Sequence, residues 1–566
     1  MPSSFYLSAA HKSSGKTIIS LGLCAAFKQQ SLKVQTFKKG PDYIDPIWLT
    51  QASGVPCYNL DFYNMTDDEI IQLYNNQSVN SDLTIIEGNK GLFDGMSVTG
   101  GDANADLVKL LNIPVVLVID STGITRGVAP LLSGYQAFDK NLDIVGVILN
   151  KVASERHESK LIQAIEYYTD IPLLGCVRRS KSLVIDERHL GLIPVNETLQ
   201  LQTFINKVAS IIIDQVDLNV LMNLNCIKFN KQIINTNTIK KKITVAIAKD
   251  RAFSFYYQDD LDKFESLGVN IKYFDTLKNH NLPVCDGLFI GGGFPEMQLK
   301  ALNANQLLLE NIKTKIEQGL PTYVECGGLM YLTNSITYNK QTHPMVGVID
   351  ANTYMTPKPV GRGYVELTPT DEHCWSNVSK RIYAHEFHYS KLKNINVNTR
   401  YAFKVLRGVG IDNKFDGIIK HNLLASYTHL RNVTGNAWVV QFVNFIRKIK
   451  KKIMIIITKK AANEIILSAY NLETQGLLIR FAVDKTDEGF QYLMGFDARN
   501  DNDIHLKSND IEYIFVYEQK TLLEGMVVDF DKIDKDSDYH FIFMNPNDPN
   551  YEPPKEGHAP DKSNKK

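Results

Sequence analysis

The first 180 residues contain short runs of almost continuous aliphatic residues, and segments with apolar residues at helical spacing lie between them. The runs are SSFYLSAA, LTIIEG, PVVLVID, IVGVILN and IPLLGCV. A strand buried on both faces has this composition, whereas a strand with one solvated face alternates apolar and polar residues. The alternation of such strands with helices predicts an α/β fold with a doubly wound parallel sheet.

The junction between the first predicted strand and the first predicted helix has the sequence HKSSGKT. A bound phosphate needs backbone N–H groups that form a cradle, a lysine charge and, for Mg²⁺, a hydroxyl at the helix start. Gly15, Lys16 and Thr17 supply these groups. Ala10 stands where the strict P-loop pattern has its first glycine, but Lys12 matches the variant P-loop in which a second lysine precedes Gly-Lys-Thr. We therefore predict Lys12, Gly15, Lys16 and Thr17 as nucleotide ligands.

Carboxylates follow other strands of the same block. Asp45 in KKGPDYIDP and Glu87 in IIEGNKGLFDG lie at or just after strand ends, where the carboxylates of a sheet reach a bound metal ion. We predict that Thr17, Asp45 and Glu87 bind the Mg²⁺ of Mg-ATP. Each carboxylate alone would be explained as a loop cap. Further carboxylates in comparable positions are Asp42, Asp94 and Asp120.

The segment PTYVECGGLMYL combines an apolar strand, a cysteine, two glycines and a helix. This order predicts a nucleophile elbow with Cys326 at the turn. We expect the helix start to lower the pKa of the Cys326 thiol and to donate N–H groups to an oxyanion. Another predicted strand ends in Gly291-Gly292-Gly293, whose backbone suits a close approach to a substrate or an oxyanion.

A thiol nucleophile needs a base, and the histidines of the second block are candidates. His385 and His388 stand in YAHEFHYS, and His429 follows the apolar segment LLASYT near the close of the block. Their spacing does not choose between them. No carboxylate directly follows His429, so an orienting acid for a Cys-His pair is not evident.

The length of 566 residues predicts three or four domains at roughly 150 residues each. An Asn- and Lys-rich stretch from about 214 to 242 and the basic run in FIRKIKKKI separate three blocks. We place a P-loop domain at 1–215, a domain with the cysteine elbow at 243–447 and a small mainly β domain at 452–547. Residues 548–566 are polar and rich in proline, so they are expected to be disordered.

Composition excludes several classes of function. The formal net charge is zero, with 62 basic and 62 acidic residues, so no overall field favours a nucleic acid partner. No apolar run reaches the roughly 18 residues of a membrane span, and no signal-peptide pattern begins the chain. We expect a cytoplasmic protein without a membrane partner. The seven cysteines are scattered and never spaced C-x-x-C, so neither a disulfide framework nor a zinc site is indicated.

Residues 1 to about 447 resemble the cobyrinic acid a,c-diamide synthase family, which amidates side-chain carboxylates of tetrapyrroles. Ten ordered motifs carry the resemblance: KSSGKT, FKKGPDYIDP, EGNKGLFDG, GVILNKV, ERHLGL, FYYQDDL, GGGFPE, ECGGLMYL, HEFHYS and ASYTHL. They cover both the P-loop block and the block with the elbow. The resemblance implies an α/β glutamine amidotransferase domain of class I type behind the P-loop domain.

The resemblance also implies a reaction. Cys326 attacks the amide of L-glutamine, and His429 raises the nucleophilicity of its thiol. ATP phosphorylates the substrate carboxylate, and ammonia displaces phosphate from the acyl phosphate. Asn150, in GVILNK, falls where related nucleotide folds contact adenine. A homodimer is expected at the level of the family alone.

The third block resembles the A-type iron-sulfur carrier fold, but it contains no cysteine. Thiolates are the usual ligands of such clusters, so a role as an interaction module or regulator with a protein partner is favoured over cluster binding. Taken together, the first two blocks and the third resemble a fusion of two proteins of sulfur-oxidising bacteria. One is the synthase assigned to making siroheme amide, and the other is the cysteine-less A-type protein that accompanies it. Cobyrinate and a siroheme-type tetrapyrrole therefore both stand as candidate acceptors.

A different class of function is a maturation scaffold, in which a nucleotide-binding switch delivers a cofactor to sulfite reductase without forming amides. The ECGG elbow and His429 argue against it, because a switch needs no thiol nucleophile. Glutaminase activity discriminates the two, since the scaffold would have none.

Overall fold

The computed structural model describes residues 3–180, 183, 187–188, 191–192, 201–224, 243–453, 455–472, 474, 476–486, 489–500, 503–532 and 538–551. The chain divides into two compact units, residues 1–443 and 444–566. The joint predicted up to residue 242 and the tail predicted to be disordered from residue 548 fall in part on residues 225–242 and 552–566, which lie outside the described residues.

The first sheet occupies the start of the larger unit and contains every aliphatic run predicted to be a strand. The strands are β1 (Ser3–Ala9), β2 (Val34–Lys39), β3 (Tyr58–Leu60), β4 (Leu83–Glu87), β5 (Val115–Asp120), β6 (Ile144–Val152) and β7 (Leu173–Arg178), and a separate short pair is β8 (Glu187–Arg188) and β9 (Gly191–Leu192). The seven strands are parallel in the order β3-β2-β4-β1-β5-β6-β7. The predicted parallel sheet is confirmed.

Helices cover both faces of this sheet, which explains why even the polar residues of β1 and β2 are buried. They are α1 (Lys16–Gln29), α2 (Ile44–Ser53), α3 (Asp67–Ser78), α4 (Asn104–Leu111), α5 (Val128–Phe138), α6 (Glu155–Tyr168), α7 (Leu201–Gln215) and α8 (Leu218–Met222). One apolar core joins β1 to α1, α2 and α7, with Trp48 and Ile205 among its buried residues. The other core joins the sheet to α3, α4, α5 and α6, with Tyr74 and Leu161 buried in it.

The second sheet of the larger unit is mixed and forms the centre of the predicted amidotransferase domain. Its strands, with those of two smaller sheets, are β10 (Ile243–Ala248), β11 (Phe253–Phe255), β12 (Val269–Phe274), β13 (Gly287–Ile290), β14 (Gly292–Gly293), β15 (Thr322–Glu325), β16 (Thr333–Tyr338), β17 (Gln341–Pro344), β18 (Ile349–Met355), β19 (Gly361–Pro369), β20 (Ile382–His388), β21 (Ser390–Lys393), β22 (Arg400–Arg407), β23 (Phe415–Lys420) and β24 (Leu423–Ser426). The nine-stranded order is β12-β10-β13-β15-β24-β23-β22-β19-β20, and its first five strands are parallel.

The helices of this half are α9 (Gln258–Ser266), α10 (Leu299–Ala304), α11 (Gln306–Glu317), α12 (Gly327–Leu332) and α13 (Trp438–Ile453). The basic run predicted to separate two blocks lies inside α13, and the boundary between the two compact units falls in the same helix, between Val443 and Asn444. The helix continues through the run because lysine and arginine are good helix formers.

The carboxyl-terminal unit is small and mainly β, as expected. Its elements are β25 (Ile456–Ile457), α14 (Lys459–Asn471), β26 (Leu478–Thr486), β27 (Gly489–Asp497), β28 (Asp503–Ser508), β29 (Ile511–Val516), α15 (Lys520–Leu523), β30 (Val527–Asp531) and β31 (His540–Met544). They form a three-stranded sheet, β25-β30-β31, and a four-stranded sheet, β27-β26-β29-β28. Among the described helices of the whole chain, none is long and apolar enough to cross a bilayer.

The close packing of α1 on α7 generates a prediction about stability. A Cβ atom added at Gly22 would lie 2.3 Å from Ile212 Cγ1 and 3.0 Å from Val208 Cγ1, whereas one added at Gly134 in α5 meets no atom within 4 Å. We expect Gly22→Ala to destabilise the protein by about 1–3 kcal/mol through overpacking. The control Gly134→Ala should be neutral or stabilising by up to about 1 kcal/mol. Thermal unfolding of both variants tests this, and equal midpoints would contradict it.

Candidate active sites

The predicted phosphate loop lies between the end of β1 and the start of α1. Gly15 precedes the helix with φ 87° and ψ 21°, a left-handed conformation that an L side chain rarely adopts. Lys12 is exposed on the loop, and Lys16 is buried at the helix start. This is the geometry in which the N–H groups of a helix start face an anion.

Asn150 lies beneath the phosphate loop at the end region of β6. Its Nδ2 donates to Ser14 O at 2.9 Å, and a Cβ atom on Gly15 would lie 2.1 Å from that nitrogen. The structure thus gives the Asn150 amide a supporting contact with the loop. A contact between Asn150 and adenine stays a prediction.

Lys16 is held by the loop that follows β4. Its Nζ donates to Lys90 O at 2.5 Å. Burial lowers the pKa of Lys16 to about 8, and the nearby Lys38 charge lowers it further in the same direction, while Glu87 and Asp45 oppose the shift. The Lys16 amine therefore binds its proton less tightly than an exposed lysine does.

The three predicted metal ligands converge. Thr17 Oγ1 lies 2.9 Å from Glu87 Oε1 and 3.4 Å from Asp45 Oδ2. Sequence reasoning missed Lys38, whose buried Nζ lies 2.5 Å from Asp45 Oδ2 and 2.7 Å from Glu87 Oε1. The signal was present in FKKGPDYIDP, where Lys38 ends a strand beside the segment that carries Asp45.

These residues fit a magnesium ion. Glu87 Oε2 is buried and has no hydrogen-bond partner among the described residues, so it is free to accept a cation. Carboxylate and hydroxyl oxygens are hard ligands of the kind that Mg²⁺ prefers, usually from one or two carboxylates with phosphate and water. A cation at this position would share the Asp45 and Glu87 carboxylates with the Lys38 ammonium.

The other carboxylates considered from the sequence have structural contacts. Asp42 Oδ1 accepts from Ile44 N at 2.9 Å and Asp45 N at 3.1 Å, and burial raises the pKa of Asp42 to about 7. Asp94 Oδ2 accepts from Gly91 N at 3.0 Å, and Asp120 Oδ2 pairs with Lys151 Nζ at 2.7 Å. These contacts favour the structural explanation for all three carboxylates.

Cys326 occupies the predicted elbow between β15 and α12. Its backbone has φ 47° and ψ −99°, a strained conformation for a residue other than glycine. The thiol is buried at 6% exposure. Burial raises the pKa of Cys326 far above its usual value, and the charges of Glu296 and Glu325 add to the effect. The hydrogen bond from the Gly327 backbone at the helix start lowers the pKa, as expected, but desolvation outweighs it and the net shift is upward.

A cavity of about 350 Å³ opens beside the elbow. Cys326, Glu296 and Gly293 line it, together with His388 and Phe387. A Cβ atom on Gly327 would lie 3.0 Å from Gly293 N, so the triple-glycine segment and the elbow are in close contact. The cavity combines a nucleophile, backbone N–H groups and a carboxylate, which suits a small polar amino acid.

His429 reaches the same region from the neighbouring strand. Parallel pairing of β15 and β24 sets Glu325 beside Ser426, and Cys326 N donates to Ser426 O at 2.7 Å. His429 lies three residues farther along, and a Cβ atom on Gly292 would come within 2.5 Å of its Cε1. Both the nucleophile and this histidine therefore flank the triple-glycine segment.

Glu325 is a candidate orienting acid that the sequence did not reveal. Its Oε2 lies 3.4 Å from His429 Nδ1, and both side chains are buried. Its Oε1 accepts from Leu430 N at 2.9 Å and from Tyr323 Oη at 2.7 Å, so the carboxylate is fixed in place. Catalytic hydrogen bonds are often long before substrate binds. The signal was its position directly before the nucleophile in ECGG.

The alternative histidines have other surroundings. His385 stacks on His429 with ring centroids 4.9 Å apart, and burial lowers its pKa well below the usual value. His388 stacks on Tyr427 at 3.9 Å, and its Nδ1 contacts Ser390 O at 3.0 Å. Its Nε2 lies 3.7 Å from Glu386. Of the three, His429 has the fixed carboxylate nearest to a ring nitrogen.

Comparison with known proteins matches both halves of the larger unit. Residues 9–193 match the family model described as a CobQ/CobB/MinD/ParA nucleotide binding domain, and residues 244–436 match a CobB/CobQ-like glutamine amidotransferase domain. The cobyrinate a,c-diamide synthase of Magnetococcus marinus is 40% identical over 452 residues, which cover 78% of this chain and 97% of the relative. The chain belongs to the cobyrinate a,c-diamide synthase family.

A second member of the cobyrinate a,c-diamide synthase family, from Caldanaerobacter subterraneus subsp. tengcongensis, is 37% identical over 445 residues and covers 78% of this chain and 97% of the relative. Neither family model extends beyond residue 436. The crystal structure of IscA with the 2Fe-2S cluster is 26% identical and covers 17% of this chain and 86% of that chain. Its TM-score of 0.15 is too low to support a conclusion about the carboxyl-terminal unit.

The lowered pKa of Lys16 predicts how nucleotide binding depends on pH. Below about pH 8 the ammonium is charged and attracts phosphate; above it, binding must first protonate the amine. The dissociation constant for Mg-ATP should therefore rise up to about tenfold per pH unit above 8. Calorimetric titration at several pH values measures this. In Lys16→Arg the charge persists, so the slope should vanish; a wild-type constant that is flat to pH 9.5 would contradict the prediction.

Proposed function

We propose that this protein uses ATP and glutamine to amidate side-chain carboxylates of a tetrapyrrole, with cobyrinate as the first candidate acceptor. The observation that carries the proposal is the pairing, in one compact unit, of a phosphate loop with converging Thr17, Asp45 and Glu87 and of a buried Cys326 with His429 and Glu325. The names of the relatives supply the acceptor.

In the glutaminase half, Cys326 is the nucleophile. Its raised pKa means that the resting thiol is protonated, so a base must remove the proton as the sulfur attacks. With Nδ1–H directed at Glu325, His429 keeps Nε2 free to accept that proton. The thiolate attacks the amide carbon of glutamine, the protonated histidine donates to the leaving nitrogen, and ammonia departs. Water then hydrolyses the thioester to glutamate.

In the synthetase half, the carboxylate of the acceptor attacks the γ-phosphorus of ATP, and the products are an acyl phosphate and ADP. Lys16, with Lys12 from the exposed loop, holds the transferring phosphoryl by charge, and Gly15 allows the backbone to approach it. Thr17, Asp45 and Glu87 would hold Mg²⁺, which would supply positive charge against the phosphate oxygens during the transfer. Ammonia attacks the acyl carbon, and phosphate leaves. Asn150 fixes the loop from below and is a candidate contact for adenine.

Two sites on one chain follow from the chemistry of ammonia. Free ammonia is mostly protonated at neutral pH and is then no nucleophile. Its release from glutamine beside the synthetase site supplies the unprotonated form where the acyl phosphate is made.

A siroheme-type tetrapyrrole is the second candidate acceptor, because of the carboxyl-terminal unit. This unit lies beyond both family models, and its sequence has no cysteine for a cluster. Within it, Arg480 forms ion pairs with Asp503 and Asp497, each at 2.6 Å. We propose it as an interaction module for a protein partner.

The deciding experiment is mass spectrometry of reactions with Mg-ATP, glutamine and either cobyrinate or siroheme. Each amidation replaces a hydroxyl by an amino group, so the mass of the tetrapyrrole falls by the difference in mass between these two groups. We expect the wild type to amidate one of the two acceptors. Cys326→Ala should lose all glutamine-dependent product and keep the product formed from ammonium salts at high pH.

No mass change with either acceptor, in a protein that binds ATP, would contradict the ligase for these substrates. If such a protein also released no glutamate from glutamine, the results would favour the maturation scaffold over the ligase.

The position of Glu325 generates a separate prediction. Glu325→Gln keeps an oxygen for Leu430 N and Tyr323 Oη but places an amide before His429 Nδ1, which favours the wrong tautomer. We expect the kcat for glutamate release to fall by about 10²-fold or more, while amidation from ammonia is unchanged. Glu386→Gln, the matched change beside His388, should leave glutamate release near the wild-type rate. The reverse ranking would assign the base to His388.

A further inference from the structure

Tyr43 belongs to the phosphate-binding half of the chain, yet its ring packs against His429, the candidate base of the glutaminase site. The ring centroid is 5.1 Å from that of His429 and 5.5 Å from that of His385. On its other sides it lies 4.7 Å from Tyr257 and stacks on Phe255 at 5.4 Å with an interplanar angle of 3°. The residue is 8% exposed. A synthetase side chain therefore forms part of the surroundings of the glutaminase base.

The backbone of Tyr43 is coupled to the candidate metal site. It directly precedes α2, and Asp45, whose carboxylate faces Thr17 and Lys38, lies in the first turn of this helix. Asp42 caps the same turn through its contacts with Ile44 N and Asp45 N. Because Tyr43 lies between Asp42 and Asp45 in this hydrogen-bonded turn, we expect a shift of Asp45 towards a bound cation to displace Tyr43 as well.

A second set of contacts ties the same loop to the segment that carries His429. Asn59 Nδ2 donates to Gly40 O at 2.8 Å and to Asp42 O at 2.7 Å. Arg431 Nη2 donates to Asn59 O at 2.5 Å, and its Nε is held by Asp259 at 3.0 Å. Arg431 is fully buried and lies two residues beyond His429. The loop thus contacts the glutaminase site by a ring and by a buried hydrogen-bond path.

We propose that Tyr43 is a positioning residue that couples glutamine hydrolysis to occupancy of the phosphate site. The proposal rests on the proposed function above. With Mg-ATP bound, Asp45 and the first turn of α2 are fixed, and the Tyr43 ring then holds His429 in the orientation that activates Cys326. Without nucleotide, the loop and His429 are less well fixed, and glutamine is hydrolysed more slowly. Coupling of this kind between two sites typically changes a rate or affinity by about 5–150-fold.

A residue that merely packs at an interface would behave differently. Its loss would lower the unfolding temperature and both activities together, whereas loss of a coupling residue changes the response of one site to ligands of the other. The ring, rather than the hydroxyl, makes the contacts with His429 and Phe255. Phenylalanine should therefore preserve the coupling and leucine should remove it.

The test measures glutamate release with and without Mg-ATP plus the acceptor identified above, amidation from ammonia, and thermal unfolding for each variant. Wild type and Tyr43→Phe should be stimulated about 5–150-fold by Mg-ATP and acceptor. Tyr43→Leu should lose most of this stimulation and keep amidation from ammonia. Asn59→Ala, which frees the loop without changing the ring, should lose part of it. Tyr58→Phe removes the hydrogen bond to Asp262 at the same interface and should keep full stimulation.

The proposal would be overturned if Mg-ATP and acceptor stimulated Tyr43→Leu as strongly as they stimulate the wild type. It would also be overturned if glutamate release by the wild type did not depend on Mg-ATP. A parallel fall of both activities and of the unfolding temperature in Tyr43→Leu and Asn59→Ala would assign the loop to packing alone. These results would leave the amide ligase intact. A wild-type protein that releases no glutamate under any condition would instead remove the proposed function and the coupling with it.

Discussion

Parallel strands end at the same edge of a sheet, and both candidate sites depend on this constraint. In the first sheet, β1, β2 and β4 are neighbours, and they lead into Lys16, Asp45 and Glu87 respectively. In the second sheet, β13, β15 and β24 are neighbours that lead into the triple glycine, Cys326 and His429. Residues far apart in the chain thus meet because strand order fixes where each strand stops. The chemistry of each site comes from the loops added at that edge.

Buried charge is the second requirement, and each charge has a partner. The Lys38 ammonium lies between the carboxylates of Asp45 and Glu87, at 2.5 Å and 2.7 Å, so the three side chains form one ion-pair cluster. Arg431 is enclosed completely but bonds to Asp259 and to the Asn59 backbone, with its guanidinium over the Tyr257 ring at 4.8 Å. An unpaired charge at either position would cost several kcal/mol. The electrostatic pairing therefore ties each site to the packing of the domain around it.

Local patterns in the sequence were enough for the first sheet, the phosphate loop and the elbow. The strands are continuous aliphatic runs, and the loops have residue types that few other conformations require. The composition of the basic run indicated a linker, yet the run is helical because lysine favours helix, and the boundary between the two compact units falls earlier in the same helix. Lys38, Glu325 and Tyr43 were not found, since each acquires its meaning from a neighbour on another strand or in another half of the chain. The net pKa shift of Cys326 was not predicted for the same reason, because the burial of its thiol depends on how the whole domain packs.

The burial of Cys326 has a consequence for oxidative damage. Peroxide and electrophiles react with the thiolate, and a thiol whose pKa is raised by desolvation contains almost none of it at rest. The nucleophile becomes an anion when a base removes its proton with substrate in place, and the same substrate then blocks access from solvent. Burial of the thiol therefore lowers the reactivity of the nucleophile towards oxidants while no substrate is bound.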